Sequence, residues 1–390
     1  MTPPPAISPI AEKYLRLHLC PDVGPIRFAN LLREFGDIDS VLDAGEGALA
    51  LVDRVGRKTA ENIARFRDED RAAAEIELAR KHGVRILCLA DDDYPPGLRT
   101  IADPPVCIYV RGSLEREDAL ALAIVGTRRC SHYGSEQGER FGALAANAGL
   151  TVVSGMARGI DTCAHRGAMA VGGRTIAVLG CGLCHLYPPE STQLAEGILE
   201  HGAIISALPM EIMPDAKNFP PRNRIVVGLA LGVLVVEAPA RSGALISARL
   251  ANEYNREVFA VPGRLDSPNS QGCHTLIKTG AGKLVTCLQD ILEELGEAGA
   301  ALMAQTDAAD GSPQPSQSLF PPLDESEKRV YEVLGSEPMS VEDVCDASEL
   351  PPQRVAAALT TLQLKGAVRR TAVGRAGSAG WHTFTRRSRG

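Results

Sequence analysis

Leu150-Thr151-Val152-Val153-Ser154-Gly155-Met156-Ala157-Arg158-Gly159-Ile160-Asp161 runs from an apolar strand through a glycine-bearing turn toward a helical pattern over Thr162 to Ala170. Small residues let the main chain approach a ligand, and amides at a helix start point outward with partial positive charge. The turn suits a phosphate. Arg158 adds a mobile cation, whereas Asp161 suits a helix cap better than ligand contact, because a carboxylate repels an anion. A tight βα turn without a ligand has the same look, so the rest of the chain must decide.

Near-continuous apolar strands recur at helical separations: Arg85 to Leu89, Ala121 to Val125, Leu150 to Val153, Thr175 to Leu179, Ala203 to Ser206, Gly232 to Val236 and Glu257 to Val261. That alternation predicts an α/β fold, a Rossmann-like, doubly wound, mainly parallel sheet over residues 80–297. Ligands of such sheets gather at the carboxyl ends of the strands. The longest apolar run, Ile225 to Val236, has 12 residues and stops at Glu237. It is too short for a bilayer and fits a helix end followed by a buried strand.

The flanks read differently. Residues 1–79 form an all-helical domain, SAM-like or helix-hairpin-helix-like, with helical spacing in Tyr14-Leu15-Leu17-Leu19 and Phe28-Leu31-Leu32-Phe35. Val23-Gly24-Pro25 and Val55-Gly56-Arg57-Lys58 each precede a helical pattern. Two readings stay open: hairpin amides that meet a DNA phosphate, or a plain helical packing domain. Residues 298–322 are rich in Ala, Gly, Ser, Pro and Gln and read as a flexible linker. Beyond them, residues 323–390 outline a winged helix: helices over Glu325 to Leu334, Ser340 to Cys345 and Pro351 to Leu364, then β segments Ala367 to Thr371 and Trp381 to Thr383 around a Gly-rich tip.

The net charge of −7 argues against a uniformly basic nucleic-acid coat, yet Pro351 to Gly390 holds eight Lys or Arg and no Asp or Glu. Ten scattered cysteines, and an N-terminus without a basic or apolar leader segment, point to a cytoplasmic protein with reduced thiols.

Five loops share small residues, hydroxyls and an occasional cation: Gly126-Thr127-Arg128-Arg129 with Ser131, Ser154 to Asp161, Gly180-Cys181-Gly182, Phe219-Pro220-Pro221-Arg222-Asn223-Arg224 and Ser242-Gly243-Ala244-Leu245. Several such loops on one sheet edge favour a polyanion site. Arg128 is taken toward the ligand and Arg129 toward solvent, while Phe219 suits base stacking and Arg222 with Asn223 a phosphate or base edge. Gly180-Cys181-Gly182-Leu183-Cys184-His185 lacks the third glycine of a dinucleotide fingerprint. Its Cys-x-x-Cys-His spacing needs export to carry haem and a second ligand pair to hold zinc, so no cofactor and no metal is expected. Gly-x-Ser-x-Gly, His-Glu-x-x-His and a Walker lysine are missing from the sequence. Glu237 and Asp161 alone are placed near the presumed site, too few for an acid/base pair, and a binding role is preferred.

Ala123-Ile124-Val125-Gly126-Thr127-Arg128, Ser154 to Asp161, Asn218 to Arg224, Glu237-Ala-Pro-Ala-Arg-Ser-Gly-Ala-Leu245, Val261-Pro-Gly263 and Leu276-Ile-Lys-Thr-Gly-Ala281 occur in this order. With Tyr94-Pro-Pro-Gly-Leu98 and Asp103-Pro-Pro105 before them, the set resembles the DNA processing protein A (DprA, or Smf) family over about residues 90–285. The resemblance implies a non-enzymatic bacterial protein of natural transformation that binds and protects incoming single-stranded DNA. It also implies loading of the RecA recombinase, a homodimer formed through the Rossmann-like domain, and no membrane partner. Carried over by motif position, Arg128, Ser154, Gly155, Met156, Ala157, Arg158, Gly159, Lys217, Phe219, Arg222, Asn223, Ser242 and Gly243 contact the DNA. The loop reading adds Gly126, Thr127 and Ser131. Two departures stand out: Cys184-His185 where the family commonly has Asp, and Gly377-Ser-Ala-Gly-Trp381 where a Pro-Gly-Gly-Tyr-like wing is usual.

With 4% aromatic residues, affinity should come mainly from phosphates, with strong salt dependence and few bases held. Two rivals share parts of the pattern. A Rossmann-like nucleoside-monophosphate phosphoribohydrolase would carry Pro-Gly-Gly-x-Gly-Thr where this chain reads Val261-Pro262-Gly263-Arg264-Leu265. A nucleotide-sensing winged-helix transcription regulator would need the dinucleotide loop that His185 spoils.

Overall fold

The computed structural model describes residues 7–310, 324–334, 339–364, 368–372 and 382–386. The chain divides into two compact units, Met1–Ala308 and Ala309–Gly390.

The first unit opens with six helices: α1 (Pro9–His18), α2 (Pro25–Phe35), α3 (Ile38–Asp43), α4 (Glu46–Leu49), α5 (Gly56–Phe66) and α6 (Glu69–Lys81). The Ser8 and Asp37 side chains cap α1 and α3, and Pro25 supplies the preset φ of a first helical residue. Both Val-Gly turns lead into helices as the spacing predicts. Arg27 ties them together by donating to the carbonyls of Asp22 and Arg54, two residues held at positive φ.

Nine strands follow in one sheet: β1 (Val84–Cys88), β2 (Cys107–Gly112), β3 (Ala121–Val125), β4 (Thr151–Ser154), β5 (Thr175–Val178), β6 (Gly202–Ser206), β7 (Gly232–Val235), β8 (Glu257–Ala260) and β9 (Lys283–Leu284). Their order is β1-β2-β6-β5-β4-β3-β7-β8-β9, parallel from β6 to β9 and antiparallel at β1-β2 and β2-β6. Between them run α7 (Pro96–Arg99), α8 (His132–Asn147), α9 (Ile160–Ala170), α10 (Thr192–His201), α11 (Phe219–Gly228), α12 (Gly243–Glu253) and α13 (Gln271–Lys278), with α14 (Gln289–Leu292) and α15 (Gly296–Asp310) after β9. This is the mainly parallel α/β sheet expected from the sequence. β2 is an addition, since the prolines of Asp103-Pro104-Pro105 just before it speak for a loop.

Alternation along each strand divides the core. Ala121, Ala123 and Val125 of β3 pack on one face with Val226 of α11 and Ala248 of α12. Leu122 and Ile124 turn to the other face, with Phe141 of α8 and Ala164 of α9. The N-terminal helices share a core with Ile86, Tyr109, Ala177 and Ile204 of the sheet. Residue 80 is therefore a change of secondary structure inside one packed unit and not a gap between two.

The first half of the expected linker is helical, because α15 occupies Gly296–Asp310 and buries Leu302 against the sheet's helices. Alanine dominates that stretch, and alanine is the strongest helix former; grouping it with Gly and Ser hid the helix. Residues 311–322 lie outside the described residues.

The second unit holds α16 (Glu325–Val333), β10 (Met339–Ser340), α17 (Val341–Ser348), α18 (Pro352–Leu364), β11 (Val368–Ala372) and β12 (His382–Arg386). Its sheet runs β10-β12-β11, antiparallel throughout, over a core that includes Val330, Val344 and Leu359. Asp324 and Ser340 close capping boxes with Glu327 and Asp343. The outline is that of a winged helix; Ala367, Trp381 and the Gly-rich tip between β11 and β12 fall outside the described residues.

One buried polar contact links α9 to β5. The Thr175 hydroxyl donates to the Val152 carbonyl at 2.8 Å, so it accepts from Nδ1–H of His165 at 2.6 Å, leaving Nε2 bare and the ring neutral. Burial, helped by the nearby Arg222 guanidinium, pushes the His165 pKa down to about 3. The unfolded chain protonates this ring near pH 6.5 and the folded chain does not, so stability present above pH 6.5 is lost as pH falls toward 3. Urea unfolding of the wild type against His165→Leu should show the wild type losing roughly 2 kcal/mol more between pH 7 and pH 5. Parallel pH profiles would refute the neutral buried ring.

Candidate functional site

β3 lies inside the sheet; the chain builds outward through β4 to β6, then returns to place β7 on its other side. Strand order reverses between β3 and β7, and the crevice at their carboxyl ends is where doubly wound sheets take ligands. A cleft of about 740 Å³ opens there. It is lined by Gly126, Thr127, Arg128 and Arg129 after β3, Ala157 and Asp161 after β4, and Phe219, Arg222 and Asn223 on α11. Arg241, Ser242 and Gly243 after β7 and Asn269 after β8 complete the rim.

The latch between β3 and β7 is Glu237. Its carbonyl accepts from Thr127 N–H at 2.7 Å, while its buried carboxylate accepts from Ser131 N–H at 2.9 Å and Ser131 Oγ at 2.6 Å. Ser131 in turn caps α8 by accepting from Gly134 N–H. Glu237 and Ser131 therefore hold the Arg128 loop in place and do not line the cleft.

The Ser154–Gly159 turn is anchored from within. Ser154 is fully buried and donates to the Ile124 carbonyl, and Met156 is fully buried at φ 55. The N–H groups of Gly155 and Ala157 donate to Oδ2 of Asp161 at 3.1 and 3.3 Å. A carboxylate of this chain already fills the place that the sequence assigned to a phosphate. Gly155 is glycine because the Arg222 guanidinium lies where a Cβ would be, and Gly159 sits at φ +78 against the Thr127 carbonyl. The glycines bring protein against protein, not against a ligand, and of the turn's proposed contact residues only Ala157 reaches the cleft.

Arg222 is almost completely buried. Its Nη1 donates to the carbonyls of Gly155, at 2.6 Å, and Val178. Burial lowers its pKa, with Asp161 opposing, and burial raises the Asp161 carboxyl, with Arg222 and the two amides opposing. Phe219 packs against Arg222, whose guanidinium lies 5.9 Å from its ring centre, with the Arg128 guanidinium at 5.1 Å and the Tyr187 ring tilted at 5.4 Å. Two residues on, Arg224 leaves the cleft for Asp103, which also accepts from Tyr254 Oη.

Arg128, Arg129 and Arg241 are exposed, and among the described residues none has a carboxylate partner. They face the N-terminus of α12, where Ser242 caps and Gly243 is open, so one rim gathers three guanidinium groups and a helix dipole. Two expected cations are elsewhere: Arg158 pairs with Glu190 on the surface and Lys217 with Asp215 at 3.1 Å, and neither lines the cleft. Both are long side chains with an acidic partner, which motif position does not reveal. Arg129 reaches the cleft instead of solvent, its carbonyl held by Asn269 Nδ2 at 3.1 Å.

Arg241, Tyr187 and Asn269 are additions. Arg241 directly precedes Ser242 and was open to the same loop reasoning; Asn269 joins only because β8 lies beside β7. In the Cys-x-x-Cys-His segment Cys181 Sγ donates to the His185 carbonyl, and no group of three metal-ligating side chains occurs among the described residues.

Residues 85–296 match the family model for DNA recombination-mediator protein A, and residues 313–372 that of the DprA winged helix domain. The chain belongs to the DprA family. The putative DNA processing protein DprA of Mycobacterium tuberculosis is 33% identical over 92% of this chain and 92% of its own length. DNA processing protein A of Streptococcus pneumoniae superposes with a TM-score of 0.65 at 34% identity, covering 73% of this chain and 97% of that one. The Helicobacter pylori protein, whose structure describes a single-stranded DNA binding mode, gives a TM-score of 0.50 at 28% identity over 57% and 96%. Among the described residues no helix of this DprA-family chain is long and apolar enough to cross a membrane.

Removing the latch tests this geometry. Glu237→Ala strands the Ser131 donors and should lower the unfolding free energy by about 1–3 kcal/mol in chemical denaturation. An unchanged midpoint would show that the carboxylate does not hold the loop.

Proposed function

We propose that this chain is a non-catalytic single-stranded-DNA-binding protein that protects incoming DNA during natural transformation and passes it to the RecA recombinase. The observation that carries the binding step is the rim itself: three guanidinium groups without carboxylate partners, converging with a helix N-terminus on one cleft in a chain of net charge −7. A cleft of about 740 Å³ suits a nucleotide or two of flexible strand and is too small to admit a duplex. Arg128, already stacked over Phe219, offers a cationic plane to an incoming base.

Family membership supports the later steps. The matching model is that of a recombination mediator, and the Helicobacter pylori relative is described binding single-stranded DNA. Delivery to RecA and action as a homodimer belong to this proposal, as does the absence of catalysis. Glu237 is committed to capping, and Asp161 to the amides of its own turn.

Each phosphate neutralised on a single strand contributes about −0.7 to the slope of log affinity against log salt, so three rim arginines predict a slope of about −2. Titrating a labelled oligothymidine across salt concentrations checks this. Arg128→Ala and Arg241→Ala should each weaken binding and make the slope shallower by about 0.7, while Arg158→Ala, outside the cleft, should change neither. Equal affinity for a duplex of the same length would count against the cleft.

A further inference from the structure

The cleft floor is not uniformly basic. Asp161 lies on it, and its two carboxylate oxygens differ: Oδ2 holds the amides of Gly155 and Ala157, whereas no backbone amide is given to Oδ1, and the Ser154 hydroxyl beside the carboxylate gives its hydrogen to the Ile124 carbonyl. Arg222 shares the floor with one terminal nitrogen spent on two carbonyls and with Nη2 and Nε given no protein acceptor. The two side chains grip the same residue: Asp161 takes the N–H of Gly155 and Arg222 gives to its carbonyl. One acceptor and one donor are therefore held at the same peptide on the cleft floor, the donor against the Phe219 ring.

Every nucleobase carries a donor next to an acceptor on its Watson–Crick edge: N6–H with N1 in adenine, N1–H with O6 in guanine, N4–H with N3 in cytosine, N3–H with O4 in thymine. A duplex consumes that edge, and an unpaired strand exposes it. We propose that Asp161 and Arg222 form a base-edge reader on the cleft floor that accepts any unpaired base and refuses paired ones. It makes Asp161 a specificity-determining residue for strandedness, not for sequence. The assignment rests on the single-strand reading above and adds to it a second contact, separate from the phosphate contacts of the rim.

The test removes the donor from the base. Fluorescence anisotropy compares a short oligodeoxyadenylate with the same oligonucleotide carrying unsubstituted purine, which is adenine without its 6-amino group. The wild type should bind the adenine form about tenfold or more tightly, the range of one hydrogen bond to a charged acceptor. In Asp161→Asn the amide oxygen can keep the two backbone amides while its nitrogen faces the cleft, and the ratio should fall to about one. Equal binding of both oligonucleotides by the wild type would overturn the base-edge reader and leave the rim standing. A ratio that persists in Asp161→Asn would overturn the role of Asp161. Binding of neither oligonucleotide would overturn the proposed function itself, and this inference with it. The wild-type ratio decides even if the variant fails to fold.

Discussion

The peptide of Gly155 is held on both sides by groups of opposite charge, and the carboxyl-terminal edge of the sheet is organised around that grip. Asp161 reaches back from the first turn of α9 to the N–H, and Arg222 comes across from α11 to the C=O and on to Val178 at the end of β5. Two crossovers are thereby locked to two neighbouring strands. Each ion is nine-tenths or more buried, so each would be costly alone; removing one partner of such a pair typically costs about 3–5 kcal/mol. The pKa directions express the same balance, with burial working against both charges and each charge supporting the other.

Acidic overall charge and an anion-binding rim are compatible because the carboxylates nearest the cleft are consumed inside the protein. Glu237 is spent on the Ser131 donors, Asp161 on the turn amides, and Glu190 and Asp215 on Arg158 and Lys217 outside the rim. What remains on the rim is guanidinium without counter-charge, above a floor where the Asp161 charge is balanced by Arg222. Net charge alone would have argued against a nucleic-acid partner; the field that a ligand meets is set by which charges stay unpaired.

The sheet was readable because its central strands are buried on both faces, and such strands leave long apolar runs between helical patterns. β2 and β9 were not: one follows two prolines, and the other is two residues long, with neither alternation nor length to mark it. Within the site, Arg128, Phe219 and Arg222 were legible because they flank strand ends or a helix start. Ser154, Gly155 and Gly159 were legible as a special turn but misread in purpose, since a turn that clears space for a buried arginine and one that clears space for a phosphate need the same small residues. Arg158 shows the limit from the other side: its partner Glu190 is 32 residues away, a relation fixed by the order of β4 and β5.

Rim and floor differ in rigidity as well as in charge. The rim arginines are exposed, long side chains, and holding them on a ligand costs the rotamer freedom of their stems. The floor pair is fixed by backbone partners before any ligand arrives, so its contacts carry little further ordering cost. On the proposed reading a flexible polyelectrolyte meets both demands at once, its charge recruited by the rim at long range and its orientation tested by the floor at hydrogen-bond distance. In this protein the buried network that the fold requires at the switch point also lines the floor of the cleft, which ties the shape of the cleft to the integrity of the sheet edge.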